Sequence, residues 1–420
     1  MRRSGALLWI GPLRPSAVDP RRGERGIALV IVLLVLTLLT IATLQFAYST
    51  QVYSHLARNS VNGLQASLLA RSGLNLGEAV LLYDNDPAVD SFLEEWCPEA
   101  GESWCRLDDS ILQLPERMRL RVHIYDEGGK LNINLTRPTV SEYRQKQRGI
   151  GDDTKLLRYE VLQAALKSLL DAGGADPNVV DRLNEYWSQI LQEVLGESGS
   201  TDSTEAAPGE TPPPARPNQP ANPTADSQAQ AALNQRNFPS LDDANTVLGI
   251  DPTALKKLRR YITALPVLTQ AGRINVNTAP REVLEAILED SGSVDTIVFQ
   301  RESAPLQGQD VSSLTQGVDP NRVAYVANLL GTRSDVFRVV ASALVNADPM
   351  TGEGGLARTA SIVVRRGQGQ PRNNRANSEI PPWTLTRLDW QKEGGAVLFE
   401  EASPGVDQPS APGDDDRASF

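Results

Sequence analysis

Histidine and cysteine are almost missing. Among 420 residues there are only His55, His123, Cys97 and Cys105, so neither a histidine-rich metal centre nor a four-cysteine zinc site can be assembled. No Walker loop, G-x-S-x-G, HExxH or nucleophile beside a histidine occurs, and no enzyme is expected. Aromatic residues make up 5% while 28 Pro and 32 Gly are present, so part of the chain stays outside any core. Acids outnumber bases 52 to 41, a net charge of -11, which argues against a general binder of nucleic acid or anionic lipid. The length excludes one small domain and suits two or three folded units with connectors.

Charge and proline are also missing where they would matter most near the N-terminus. No charged side chain lies between Gly26 and Arg58, and no proline lies between Arg21 and Asp86. Ile27 to Ala47 can therefore span a bilayer, since about 20 apolar residues rising 1.5 Å each cover its core. Arg2, Arg3, Arg14, Arg21, Arg22 and Arg25 outweigh Asp19 and Glu24 before it, which keeps that end cytoplasmic and sends the remainder outside or to the periplasm. Apolar residues at Leu56, Val61, Leu64, Leu68, Leu69 and Leu76 carry the stripe onward, so one long helix over 27–85 is expected. In an oxidising compartment Cys97 and Cys105 can close a local disulfide, two buried thiols being the alternative.

Downstream, the period alternates between two and 3.6. Met118, Leu120, Val122 and Ile124 alternate with Arg119, Arg121, His123 and Tyr125, the pattern of a half-buried strand with His123 on its polar face. Phe337–Val345, Thr359–Arg365 and Trp383–Trp390 alternate likewise, giving a strand region in two parts, 86–135 and 336–402. These strands should form one antiparallel sheet packed on the long helix. Between them, 136–335 reads as helical. Leu157 to Leu169 and Val179 to Val194 each form an amphipathic face, with later helices over Thr253–Ala264, Arg281–Leu288 and Arg322–Leu330. Glu197 to Asn237 is rich in proline, holds no aromatic residue and only Leu233 among the large aliphatics, so 197–237 is expected to be a disordered linker. The tail 403–420 is expected to be disordered too. The class is α+β, with an all-α insertion.

A short pattern occurs twice. Gly129-Lys-Leu-Asn132-Ile-Asn134 returns as Gly272-Arg-Ile-Asn275-Val-Asn277, followed by Thr278 and Pro280. Glycine permits a turn, the alternation makes a short extended segment, and the last Asn or the Thr can cap a helix begun at Pro280.

The Arg25-Gly26 junction ahead of the apolar run resembles a type IV prepilin leader, 1–26, cleaved after Gly26 to leave Ile27 as the N-terminus. Pilins and most pseudopilins carry glutamate at the fifth residue after cleavage, where this chain has Ile31. In that family the glutamate pairs with the N-terminal amine of a neighbour, and a subunit without it needs no such partner. The missing glutamate, with INVNTAP at Ile274–Pro280 and DEGGKLNIN at Asp126–Asn134, resembles the K-type minor pseudopilins of type II secretion.

The resemblance implies a SAM-like helical domain inserted in a pseudopilin sheet. It also implies a single pass through a bacterial inner membrane with the bulk periplasmic, and methylation of the processed N-terminus. The role implied is to start or cap a pseudopilus tip in protein secretion. Implied partners are other minor pseudopilins, the prepilin peptidase and the inner-membrane secretion platform, without nucleic acid. Where family members carry an acidic calcium-binding run, this chain reads Leu183-Asn-Glu-Tyr-Trp-Ser188. Asp84-Asn-Asp86 begins like a calcium loop but meets Pro87. No cofactor is expected, calcium being left open. A type IV pilus minor pilin is the near alternative. A membrane-anchored helix-hairpin-helix DNA binder is the further one, disfavoured by Glu289-Asp290 where phosphate would approach.

Overall fold

The computed structural model describes residues 21–82, 84, 89–94, 96–97, 99–100, 104–107, 112–147, 157–200, 225–265, 273–315, 317–346, 355–367 and 384–391. The chain divides into two units, one ending at Asn62 and one beginning at Gly63. Helix α1, Arg21–Leu82, begins in the first and ends in the second.

Within the first unit, α1 from Ile27 on is long and apolar enough to cross a membrane. Its threonines at 37, 40 and 43 are hydrogen-bonded within the helix: Thr37, Thr40 and Thr43 donate to the carbonyls of Leu34, Thr37 and Leu39 at 2.8–2.9 Å. Such back-bonding satisfies these three hydroxyl protons in an apolar medium.

The second unit holds the rest. Strands β1 (Glu99–Ala100), β2 (Cys105–Leu107) and β3 (Met118–Asp126) come first. The chain then enters the helical part through β4 (Leu131–Asn132), α2 (Val140–Gln147), α3 (Arg158–Ala172), α4 (Val179–Ser200) and α5 (Ala225–Gln235). It continues through α6 (Leu241–Leu248), α7 (Pro252–Leu258), β5 (Ile262–Thr263) and β6 (Ile274–Asn275). Helices α8 (Arg281–Leu288), α9 (Ser291–Ser303), α10 (Gly308–Leu314) and α11 (Pro320–Leu329) lead to β7 (Leu330–Gly331). The chain returns to the sheet as β8 (Val336–Val345), β9 (Leu356–Gly367) and β10 (Thr384–Gln391).

The six sheet strands run in the order β1-β2-β3-β8-β9-β10, and every neighbouring pair is antiparallel. Strands β3 and β8 pair along their whole length, from Met118 opposite Val345 to Asp126 opposite Phe337. One face packs on α1 through Ala70, Leu74 and Leu81 against Leu120, Val122 and Val339. Gly73 and Gly77 make the approach close. A Cβ on Gly73 would lie 2.9 Å from Ala341 Cβ and from Leu120 Cδ1, and one on Gly77 2.5 Å from Val339 Cγ1. The helices share a second core centred on Trp187, whose ring meets Phe238 at 5.0 Å.

Local signals account for the helix ends. Ser240 caps α6 through Asp243 N, and Gly249 at φ +61 closes it; Asp251 caps α7, whose first residue is Pro252.

The α+β class, the four alternating strands and the inserted helices agree with the sequence reading, and four of its details are corrected. The expected linker 197–237 is narrower: α4 runs to Ser200, and α5 buries Ala229 and Leu233, whose spacing of one helical turn gives it an apolar face. Residues 201–224, like the tail 403–420, lie outside the described residues. The helix expected over Thr253–Ala264 stops at Leu258, because Ile262 and Thr263 pair with β4. His123 is buried, since the Trp104 ring covers it at 4.5 Å. No disulfide joins Cys97 and Cys105: both are buried thiols, and Cys105 Sγ donates to the Trp96 carbonyl at 3.6 Å.

Candidate functional site

Two features of the chain invite a functional reading, the apolar first unit and a buried polar joint between the two cores. In the first unit Ile27 is 63% exposed and Ile31 56% exposed, and the same holds along the apolar residues to Leu44. Gly26 lies inside α1; residues 1–20 lie outside the described residues. Position 31 thus carries an apolar side chain within an exposed, predominantly apolar stretch of α1.

The joint is built from the two motif copies. In each, the first Asn accepts the amide of the second: Asn134 N to Asn132 Oδ1 at 3.1 Å, and Asn277 N to Asn275 Oδ1 at 3.0 Å. In each, the second Asn clamps the backbone of a residue far along the chain. Asn134 donates to the Phe238 carbonyl and accepts its amide, both at 2.9 Å. Asn277 does the same to Leu306, at 3.1 and 2.8 Å. Each motif strand also pairs parallel with a later strand, β4 with β5 and β6 with β7. The repeat seen in the sequence is therefore a repeat of structure: strand, helices, clamped residue, two helices, returning strand.

The helix-start role expected for Asn277 and Thr278 is corrected. Pro280 stands at the N-cap of α8 without a side-chain bond, and Thr278 Oγ1 instead donates to Asp126. Glycine at the head of the first copy has a steric reason: a Cβ on Gly129 would come within 2.9 Å of Thr278 Oγ1 and 3.0 Å of Ala279 N. The two copies lie against each other. Gly272 is outside the described residues.

Two adjacent carboxylates at the end of β3 fasten the copies to the sheet. Asp126 Oδ2 accepts from Asn275 Nδ2 at 3.1 Å, from Ser334 Oγ at 2.5 Å and from Thr278, while Oδ1 accepts Gly128 N at 2.7 Å. Burial pushes its carboxyl up in spite of these donors. Glu127 reaches the other copy, accepting from Thr263 Oγ1 at 2.5 Å, Lys130 Nζ at 2.8 Å and Arg338 Nε at 2.9 Å. Burial would raise it too, but Lys130 and Arg338 outweigh that and hold it down to about 2.

A third layer comes from the segment after α1 and from β9. Arg366, buried, binds Asp84 Oδ2 at 2.5 Å and Asp90 Oδ1. Asp90 also accepts Ser334 N at 2.7 Å, and its carbonyl accepts Asn275 Nδ2 at 2.9 Å. Asp126 opens the DEGGKLNIN segment, whereas Asp90, Ser334 and Arg366 did not stand out in the sequence. At the turn between α8 and α9, Asp290 occupies the Ser293 amide at 3.0 Å and Glu289 pairs with Arg322, so a carboxylate stands where a phosphate would seek an amide.

No family model matches the chain. Type II secretion system protein K of Pseudomonas aeruginosa is 28% identical over 325 residues, which cover 76% of this chain and 84% of that protein. Similarity to the K-type protein thus extends well beyond the leader and the motifs that first suggested it. A chain in the crystal structure of the GspK-GspI-GspJ complex from the type 2 secretion system of enterotoxigenic Escherichia coli aligns over 81% of this chain and 99% of its own, at 15% identity and a TM-score of 0.44.

Proposed function

We propose that this chain is a minor pseudopilin of a type II secretion system, acting at the tip of a periplasmic pseudopilus that drives protein secretion across the outer membrane. The observation that carries this reading is α1 with its exposed apolar surface and Ile31, in a chain similar to protein K over most of its length. Prepilin peptidase removes 1–26, and Ile27 becomes a methylated N-terminus. The helix remains in the inner membrane with the bulk in the periplasm.

The mechanism is geometric. A carboxylate in lipid requires a countercharge, so a subunit with isoleucine at position 31 joins neighbours by apolar packing alone and needs no amine from a preceding subunit. The inserted helices, a SAM-like domain in this reading, add bulk above the sheet, which suits a subunit with nothing stacked over it. Its partners are other minor pseudopilins and the inner-membrane platform. A type IV pilus-like minor pilin would share α1 and its processing and differ in the machine it serves.

The test is the N-terminal sequence and intact mass of protein recovered from membranes, with and without prepilin peptidase. A peptidase-dependent start at Ile27 that Gly26→Ala abolishes is the expected result. An intact leader in both samples would remove the pseudopilin mechanism.

A further inference from the structure

Acid is absent from most of α1. In a chain of net charge -11, no Asp or Glu lies between Glu24 and Glu78, whereas His55, Arg58 and Arg71 fall in that interval. Past the apolar run the helix becomes two-faced. Gln51, Ser54, His55 and Arg58 stand at i, i+3, i+4 and i+7, which is one face of a helix, and with Phe46 they line a shallow groove. Tyr48, Val52 and Leu56, four apart, form a separate apolar strip, and all seven side chains are exposed. Thr50, within the same stretch, spends its hydroxyl on the Phe46 carbonyl at 2.8 Å. Gln51, Ser54, His55 and Arg58 have no hydrogen-bond or ion-pair partner among the described residues. Arg58 offers only donors and the other three offer at least one each, so the stripe suits a ligand rich in acceptors.

Its height on the helix says which ligand. From Ile27 to Arg58 the helix rises about 46 Å at 1.5 Å per residue. Tilted by the usual ~20° it covers about 44 Å, the depth of a bilayer with its headgroups, about 40–45 Å. Phe46, Tyr48 and Tyr53 then stand where aromatic rings gather at the edge of lipid.

We infer that Gln51, Ser54, His55 and Arg58 form a collar that binds phospholipid phosphate in the leaflet at the C-terminal end of the span, and so sets how deeply α1 is seated. A guanidinium can take two phosphate oxygens at once, and with no carboxylate between Glu24 and Glu78 nothing on this stretch repels the headgroups. A subunit drawn out of the bilayer has to give these contacts up. The inference rests on α1 spanning a membrane, as the proposed function does, and holds whichever secretion or pilus machine the chain serves.

The experiment places the full chain in nanodiscs of mixed phosphatidylcholine and phosphatidylglycerol. Spin labels at Tyr53→Cys and, separately, at Leu36→Cys report depth through their access to oxygen and to a water-soluble nickel chelate; the chain without an added cysteine gives the background. The Leu36 label should lie in hydrocarbon in every variant. The Tyr53 label should lie at the phosphate level and move several ångströms towards water in Arg58→Glu. Native mass spectra of chain released from the same discs should show retained phosphatidylglycerol, about fivefold less in Arg58→Gln, as expected for one basic side chain at a lipid surface, and unchanged in Arg71→Gln. Arg58 is exposed, so neither substitution at that position disturbs a core. A Tyr53 label far out in water with Leu36 still in lipid overturns the proposal and assigns the stripe to a protein partner. Equal lipid retention in Arg58→Gln overturns it too, as does displacement of the lipid by millimolar inorganic phosphate, which would mark a site for the free ion. A Leu36 label in water removes the span itself, and the pseudopilin reading with it.

Discussion

Replacing Gly73 by alanine should weaken the second unit, although alanine is the better helix former. In an exposed helix interior that change stabilises by about 1 kcal/mol, because glycine loses more backbone entropy. At Gly73 the new methyl would sit 2.9 Å from Ala341 Cβ, 2.9 Å from Leu120 Cδ1 and 3.0 Å from Val122 Cγ2. Ala341 is anchored to its own strand backbone in the middle of β8 and has no rotamer with which to yield, so α1 must lift from the sheet. Overpacking of this kind costs about 1–3 kcal/mol, which on balance leaves a loss of about 1 kcal/mol and a fall in Tm of about 2 °C. Gly63 is the internal control. A Cβ there meets only Arg358 Nη2 at 3.8 Å and Leu356 Cδ2 at 3.9 Å, so Gly63→Ala should keep the helix gain and raise Tm. Thermal unfolding of the two variants beside the wild type decides the matter; if Gly73→Ala is stabilised as much as Gly63→Ala, the close approach of α1 to the sheet is wrong.

Asn134→Ala and Asn277→Ala should each cost about 2–4 kcal/mol, because each strands a buried backbone N–H and C=O, of Phe238 or Leu306 respectively; denaturant titration measures both, and losses well below 1 kcal/mol would deny the clamp. Arg366→Met leaves Asp84 and Asp90 without their shared cation and should cost about 3–5 kcal/mol near pH 8. At pH 5 the loss should be smaller, since Asp90 has a raised pKa and takes up a proton there. Glu127 acts in the opposite sense. Its pKa is held down to about 2, below the ordinary value of 4.5, so its contribution is complete above about pH 4.5 and is lost as pH falls towards 2. Acid titration of the unfolding free energy should therefore lose slope in that window in Glu127→Gln.

Much of the architecture was legible because it rests on period. Strands β3, β8, β9 and β10 alternate, α3 and α4 carry clean apolar faces, and α1 lacks any residue that would stop it. The joint was not legible, because its members are scattered: Asn275 bonds a residue 185 positions earlier, and Ser334 bonds Asp126 across 208. Hydrogen-bonding partners at such separations leave no local pattern. The two-residue strands β4 to β7 are too short to show a period at all. His123 was misplaced because alternation assigns a face and cannot foresee that Trp104 covers it. The margins of the linker failed for want of signal, since Ala229 and Leu233 alone mark the inner face of α5. One signal was there to be used: Gly73 and Gly77, four apart on α1, mark the stripe where another backbone comes close. The motif asparagines were singled out from their repetition, and their side chains tie distant loops and do not start helices.

The pairing of Asp126 with Phe337 has a consequence for how the chain folds. Strands β3 and β8 are antiparallel partners whose connection is the entire stretch from Glu127 to Asp335. A bare loop of that length would make their meeting slow, because closure entropy comes before any contact rewards it. The parallel ladders β4–β5 and β6–β7 fold the stretch into two closed modules, each with its entry and exit side by side, so the finished insertion delivers the two strand ends to the same place. Helices that fold first would spare the sheet most of that closure entropy. A chain stalled before that step would display β3 and β8 as open edges, so a slow-folding insertion exposes the sheet to pairing with another chain.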